Sequence, residues 1–214
     1  MSRTNSAGHG FRTTSIDLVH DWTYSRLVRR NVTSPDGESF ARTYVDSPGA
    51  VAVVAVTDDD EIVLVHQYRA TVDDYVVEIP AGMKDVEGEP GIETARRELV
   101  EEAGYVADAW SSLGSILSTP GASNSVVEIY LATGLTAVPV EPHGPEERVM
   151  RISRVPVDEA VRMCMDDEIV DSKSVTGILR AAQANQIEKI TGQPASPEQA
   201  PQNIPSTVPQ GQGA

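Results

Sequence analysis

A side-chain period of two recurs along most of this chain of 214 residues and limits its fold more than any other feature. It reads as strands over Asp17–His20, Thr23–Val32, Glu38–Val45, Ala50–Val56, Glu61–Gln67, Tyr75–Ile79, Ser125–Leu131 and Arg148–Arg154. Between them, Ser34-Pro35-Asp36-Gly37, Ser47-Pro48-Gly49 and Asp58-Asp59-Asp60 supply residues that tolerate turn dihedrals, so hairpins follow. Only Ile92–Ala103, Val157–Met165 and Ser172–Ala184 switch to the helical period. Many strands with few helices predict an α+β fold.

The ends break both periods. Residues 1–15 mix Ser, Thr, Gly and Arg, and 191–214 carry five prolines among Gln and Gly, so disorder is expected at each end. Residues 16–48 form a group of N-terminal strands, and 49–190 hold the rest of a single folded region without a linker-like break.

Net charge is −15, which repels phosphate backbones and anionic lipid and favours divalent cations as partners; neither nucleic acid nor membrane is expected. The longest apolar run, Ala50–Val56, is far below the roughly 20 residues of a membrane span, and no hydrophobic signal core is evident, so a cytoplasmic protein is expected. The single cysteine, Cys164, falls on an apolar helical stripe and reads as a small buried hydrophobe. His9, His20, His66 and His143 lack metal-ligand spacing.

The chemistry concentrates between Gly82 and Tyr105. An irregular stretch with Gly82, Gly88 and Gly91 feeds a helix whose apolar stripe is Ile92, Ala95, Leu99 and Ala103, and Gly104 stands where a left-handed cap is expected. Glu98, Glu101 and Glu102 lie three and four apart and project from one helical surface, where they repel each other unless a cation intervenes. Oxygen ligands without Cys or His suit Mg2+, or Mn2+, bridging carboxylates to substrate phosphates. Arg97, four before Glu101, is placed to brace the cluster, and Glu93 to pair with Arg97. Taken alone, such a pattern more often means a solvated face of Glu–Arg pairs.

The whole segment resembles the Nudix box: Arg97-Glu98-Leu99-Val100-Glu101-Glu102-Ala103-Gly104-Tyr105 fills its second half, and Glu89 to Arg97 keeps seven intervening residues. Gly82 to Glu89 encloses six instead of the usual five, an extra residue in the loop that leaves the helix register intact. Together with Ser47–Ala55, Leu64–Arg69, Glu78–Gly82, and Pro120 sixteen residues after Gly104, the chain resembles the ADP-ribose pyrophosphatase branch of the Nudix hydrolases over roughly Val32–Ala182.

That resemblance implies an α/β/α sandwich with a mixed sheet over 49–190, plus an N-terminal antiparallel sheet used in forming a homodimer. It implies Mg2+-dependent hydrolysis of the diphosphate bond of ADP-ribose, a small nucleoside diphosphate substrate, to AMP and ribose 5-phosphate. Glu98, Glu101 and Glu102 would hold the metal with the Ala81 carbonyl and Glu89. Glu146 or Glu147, on a Pro/Gly-rich loop, would activate water, with Arg97 counted in the catalytic set as a brace. Arg69 would contact phosphate or ribose, or else simply pair with nearby acids, Glu78 would contact a ribose hydroxyl or the adenine amine, and Pro120, Gly121 and Ser123 would belong to the substrate site. Trp22 or Tyr24 would stack on adenine or serve as an interface or core aromatic. The sequence departs from the branch at Ser125, where a carboxylate is usual, which leaves a broader nucleotide-sugar pyrophosphatase as the alternative and an ADP-ribose sensor as a more distant one.

Overall fold

The computed structural model describes residues 10–140 and 144–191. Its strands are β1 (Arg12–Asp21), β2 (Arg26–Thr33), β3 (Ser39–Asp46), β4 (Ala50–Ala55), β5 (Glu61–Arg69), β6 (Asp74–Glu78), β7 (Ala81–Met83), β8 (Tyr105–Leu117), β9 (Val126–Ala137) and β10 (Arg151–Pro156). Its helices are α1 (Gly91–Ala103), α2 (Val157–Met165) and α3 (Ser172–Thr191). The chain divides into two compact units: 10–48 with Thr119–Ser125, and Gly49–Ser118 with the described residues from Val126 onward.

In the first unit, β1, β2 and β3 form an antiparallel sheet in that order. β1 begins at Arg12, inside the stretch expected to lack order, and pairs with β2 over its full length; residues 1–9 lie outside the described part. Thr119–Ser125 clasps the end of β3: the Val45 N–H donates to Ala122 O at 2.9 Å, and Asn124 bonds Asp46 at 2.6 Å and receives the Ser47 N–H at 2.9 Å.

In the second unit a mixed sheet runs β7-β4-β9-β8, with β4 and β9 parallel, and a second sheet runs β10-β5-β6. The uninterrupted apolar run at β4 is explained by burial on both faces. Val51, Val53 and Ala55 pack with Ala95, Leu99 and Ala103 of α1. Ala52 and Val54 pack with Ala160 and Cys164 of α2 and Ile178 and Ala181 of α3. Helices thus cover both sides of the sheet, an α/β/α sandwich, and Cys164 is a core residue. Gly177 lets α3 approach the sheet, since a Cβ there would meet Val54, Ile79 and Ile129 at 2.9–3.3 Å.

Two strands escaped the sequence pattern. β8 is an edge strand with a bulge between Ser112 and Gly114, and most of its residues are at least partly exposed, so its alternation is weak. β7 is three residues long. Arg148 and Val149, expected in the last strand, belong instead to a short 3-10 helix before β10. α3 runs past Ala184 to Thr191, so that residue is helical, and 192–214 lie outside the described residues.

Candidate active site

The site is built where β7 meets α1. Pro90 precedes the helix in extended geometry, Thr94 is wholly buried, and Gly104 closes the helix at φ 67°, donating its N–H to Val100 O at 3.0 Å. A side chain at Gly104 would also meet Val138 O at 2.8 Å. The apolar stripe of α1 docks on β4, and this orientation carries Glu98 and Glu102 to the backbone of β7.

Glu102 Oε2 accepts the Ala81 N–H at 2.7 Å. Glu98 lies so close over Gly82 that a Cβ there would overlap its carboxylate, which gives the first glycine of the segment a steric reason. Both carboxyls are buried, and that burial raises them, Glu98 to about 7 and Glu102 to about 8. For Glu98 the Arg97 charge opposes the rise and Glu101 adds to it; for Glu102 the Ala81 N–H opposes it and Glu98 adds to it.

Arg97 braces this surface. Its Nη1 bonds Glu98 at 2.8 Å and Glu101 at 3.1 Å, and its Nη2 lies 3.4 Å from Glu89 and 3.6 Å from Asp85. Glu89 also receives the Thr94 hydroxyl at 2.8 Å, which with Arg97 holds its carboxyl below the usual range. Glu93 pairs with Arg96 at 3.9 Å rather than with Arg97, which is turned toward the four acids. Within the expected metal set, Glu98 and Glu102 face β7, and Arg97 engages Glu98 together with Glu101 and Glu89. Among the described residues no three acidic, His or Cys side chains converge as a metal cage. A divalent ion here would take carboxylate oxygens from Glu98 and Glu102, with the rest of its shell from backbone, water and substrate oxygens. That is the habit of Mg2+, and two neighbouring carboxyls raised by burial fit it.

A second buried carboxylate stands on β6. Glu78 receives two bonds from Arg69, Nε to Oε1 and Nη2 to Oε2, each 2.7 Å, and is also bonded by Lys173. These cations overcome the burial penalty and hold Glu78 below its ordinary range. Lys173 bonds Asp171 at 2.9 Å, Asp171 caps α3 through the Ser174 N–H at 3.0 Å, and Ser174 Oγ accepts the Ile79 N–H at 2.9 Å. The charges of Arg69 and Lys173 reach Glu102, so the two carboxylate groups share one electrostatic environment. Lys173, Asp171 and Ser174 were not singled out from sequence; a lone Lys at a helix start carries no signal until the chain is folded.

The other candidates are placed as follows. Glu146 is exposed, and Glu147 starts the 3-10 helix and accepts the Gly144 N–H at 3.2 Å. His143 and Glu141 lie outside the described residues. Pro120, Gly121 and Ser123 belong to the first unit, where Ser123 Oγ donates to Val45 O at 3.0 Å and accepts the Ser125 N–H at 3.0 Å. Trp22 and Tyr24 are exposed, so neither is a core aromatic within this chain. His66 bonds Ser153 at 2.9 Å across β5 and β10.

A NUDIX domain model matches residues 46–176. The chain is 40% identical over 173 residues to an ADP-ribose pyrophosphatase of Mycobacterium tuberculosis, covering 81% of this chain and 84% of that one. It is 34% identical over 165 residues to an ADP-ribose pyrophosphatase of Bacillus subtilis, covering 76% and 89%. A solved structure described as an ADP compounds hydrolase superposes with a TM-score of 0.71 at 20% identity, covering 85% of this chain and 96% of that one, a likeness of fold. Matched over most of its length, and with Glu98, Glu101 and Glu102 of the box on α1, the chain belongs to the Nudix hydrolase family.

Proposed function

We propose that this enzyme hydrolyses the diphosphate bond of ADP-ribose to AMP and ribose 5-phosphate with Mg2+, or Mn2+ in its place. The observation that carries the reading is the buried Glu98–Glu102 pair held against the Ala81–Gly82 backbone, beside a cationic group that suits a diphosphate. The named activity of the M. tuberculosis and B. subtilis relatives supports the choice of substrate.

When bound, the divalent ion neutralises the diphosphate and polarises the attacking water. Glu98 and Glu102 hold it, the Ala81 N–H fixes the Glu102 carboxylate, and Arg97 keeps Glu98, Glu101 and Glu89 from splaying apart. Arg69, assisted by Lys173, supplies positive charge for phosphate, and Glu78 accepts from a ribose hydroxyl or the adenine amine. Glu146 or Glu147 takes the proton from the attacking water.

The enzyme works in the cytoplasm as a homodimer built on the N-terminal sheet. Nearly all of β1 is exposed, and Leu18, Val19, Trp22 and Tyr24 on and beside it present apolar surface that a second copy would cover. Product analysis by ion-exchange chromatography tests the activity, using ADP-ribose, sugar nucleotides, NADH and diadenosine polyphosphates with Mg2+ or with EDTA. Mg2+-dependent release of AMP and ribose 5-phosphate from ADP-ribose is expected. Preferential cleavage of another sugar nucleotide would move the specificity, with Ser125 the first residue to examine, and binding of ADP-ribose without cleavage would favour a sensor.

A further inference from the structure

β5 and β6 pair in unbroken register, Val65 opposite Glu78, Gln67 opposite Val76 and Arg69 opposite Asp74. Opposed residues, and residues two apart on one strand, project from the same face, so Gln67 shares a face with Arg69 and Glu78. Arg69 nevertheless bonds Glu78, whose place on that face lies beyond Gln67, and so its side chain runs back past the Gln67–Val76 pair. Gln67 is thereby 7% exposed beside the bridge, and its Oε1 is buried with no hydrogen-bond partner among the described residues.

The other two buried atoms in that position are the Nε of Arg30 and of Arg97, and both guanidinium groups are anchored through their terminal nitrogens. Gln67 instead leaves a carbonyl oxygen, a strong acceptor, without a donor among the described residues. Such an atom is destabilising in a folded interior unless a ligand or an ordered water completes it. The ligand group must be a donor, which an ionised diphosphate lacks and a sugar hydroxyl supplies.

We propose that Gln67 is a substrate-binding residue whose carboxamide oxygen accepts a hydrogen bond from a sugar hydroxyl of the bound nucleotide, next to the diphosphate held by Arg69. The inference rests on the proposed hydrolysis of a nucleoside diphosphate sugar, and it adds a determinant for the sugar. A deoxy analogue would leave the oxygen unpaired again and would be rejected for that reason.

The test is Gln67→Met, which preserves bulk and removes the acceptor. The substrate-free melting temperature rises by about 3 °C, because an unsatisfied polar atom is gone. KM for ADP-ribose rises about tenfold with a smaller change in kcat, and the preference for ADP-ribose over its ribose-deoxy analogues is lost. Gln67→Asn keeps the polarity but withdraws the oxygen by one methylene, and it raises KM likewise should the Met variant fail to fold. A lower melting temperature with Met, or an unchanged KM in either folded variant, would overturn the proposal by showing an oxygen satisfied within the protein. The melting arm needs no substrate, and the KM arm uses whichever sugar nucleotide the wild-type enzyme cleaves, so failure of the ADP-ribose reading is told apart from failure of this one.

Discussion

Glu102 on α1 and Glu78 on β6 are almost equally inaccessible, at 5% and 2% exposure, yet their charge states are pulled in opposite directions. Burial raises Glu102 to about 8, whereas Arg69 and Lys173 hold Glu78 below its ordinary value. The difference lies in the number of cations in direct contact, since Arg69 and Lys173 act on Glu102 only from a distance. Glu78 is met by a guanidinium fork and an ammonium. Glu102 has one backbone N–H and a like-charged neighbour in Glu98. The fold completes one carboxylate and leaves the other short of positive charge, which is the condition under which a divalent ion is held.

Removing the deficit from the incomplete side has the largest effect. Glu102→Gln takes away a metal charge and is expected to lower kcat on the order of 10³-fold at saturating Mg2+, measured as AMP release, while the fold is retained. Turnover near the wild-type rate would end the assignment of Glu102 as a ligand. Gly82→Ala reaches the same pair by sterics, since its methyl group would overlap the Glu98 carboxylate. A loss of activity of about 10²-fold, partly recovered by raising Mg2+, is expected because Glu98 is displaced rather than deleted.

Breaking the complete side costs stability instead. Lys173→Met leaves Glu78 and Asp171 with one cation fewer, at a place where Lys173 is only 13% exposed. A loss of about 3 kcal/mol in urea unfolding is expected, and adding Glu78→Gln should recover part of it, because Asp171 and Arg69 then leave no excess of buried negative charge. Additive effects of the two substitutions would show that Lys173 and Glu78 are not coupled.

The two sides also differ in how far they were legible in the sequence. α1 was readable because its information is local: the stripe from Ile92 to Ala103, the cap at Gly104 and the spacing of the acids lie within one helix. The partners of those acids were not readable, since helical spacing places Glu98, Glu101 and Glu102 on one surface and only folding shows Glu98 and Glu101 on Arg97 and Glu102 on the Ala81 N–H. The Glu78 group depends on contacts between residues far apart, Lys173 and Ser174 meeting β6 and its end across 95 positions. Arg69 and Glu78 were reached through family resemblance, and Lys173 was not reached. The 119–125 loop shows the same limit, because its place beside β3 in the first unit is invisible in a sequence where it interrupts the second.

The smallest effect is the pH signature that sets the two carboxylates against each other. Glu98 and Glu102, raised to about 7 and about 8, keep their protons in the metal-free folded protein after the unfolded chain has lost them near 4.5. Between about pH 4.5 and 8 the folded state therefore binds more protons, and stability falls as pH rises through that window. Glu78, lowered, has the opposite sign: its contribution is present above 4.5 and is lost as pH falls through its folded value. In EDTA, the melting temperature is expected to decline on the order of 5 °C from pH 5 to pH 8.5, and Mg2+ to restore more at the upper end, where both ligands are ionised. Glu102→Gln should flatten the decline without touching the acid limb. A melting temperature that rises across the window in EDTA would show that the α1 pair is already neutralised within the protein, and the contrast with Glu78 would fail.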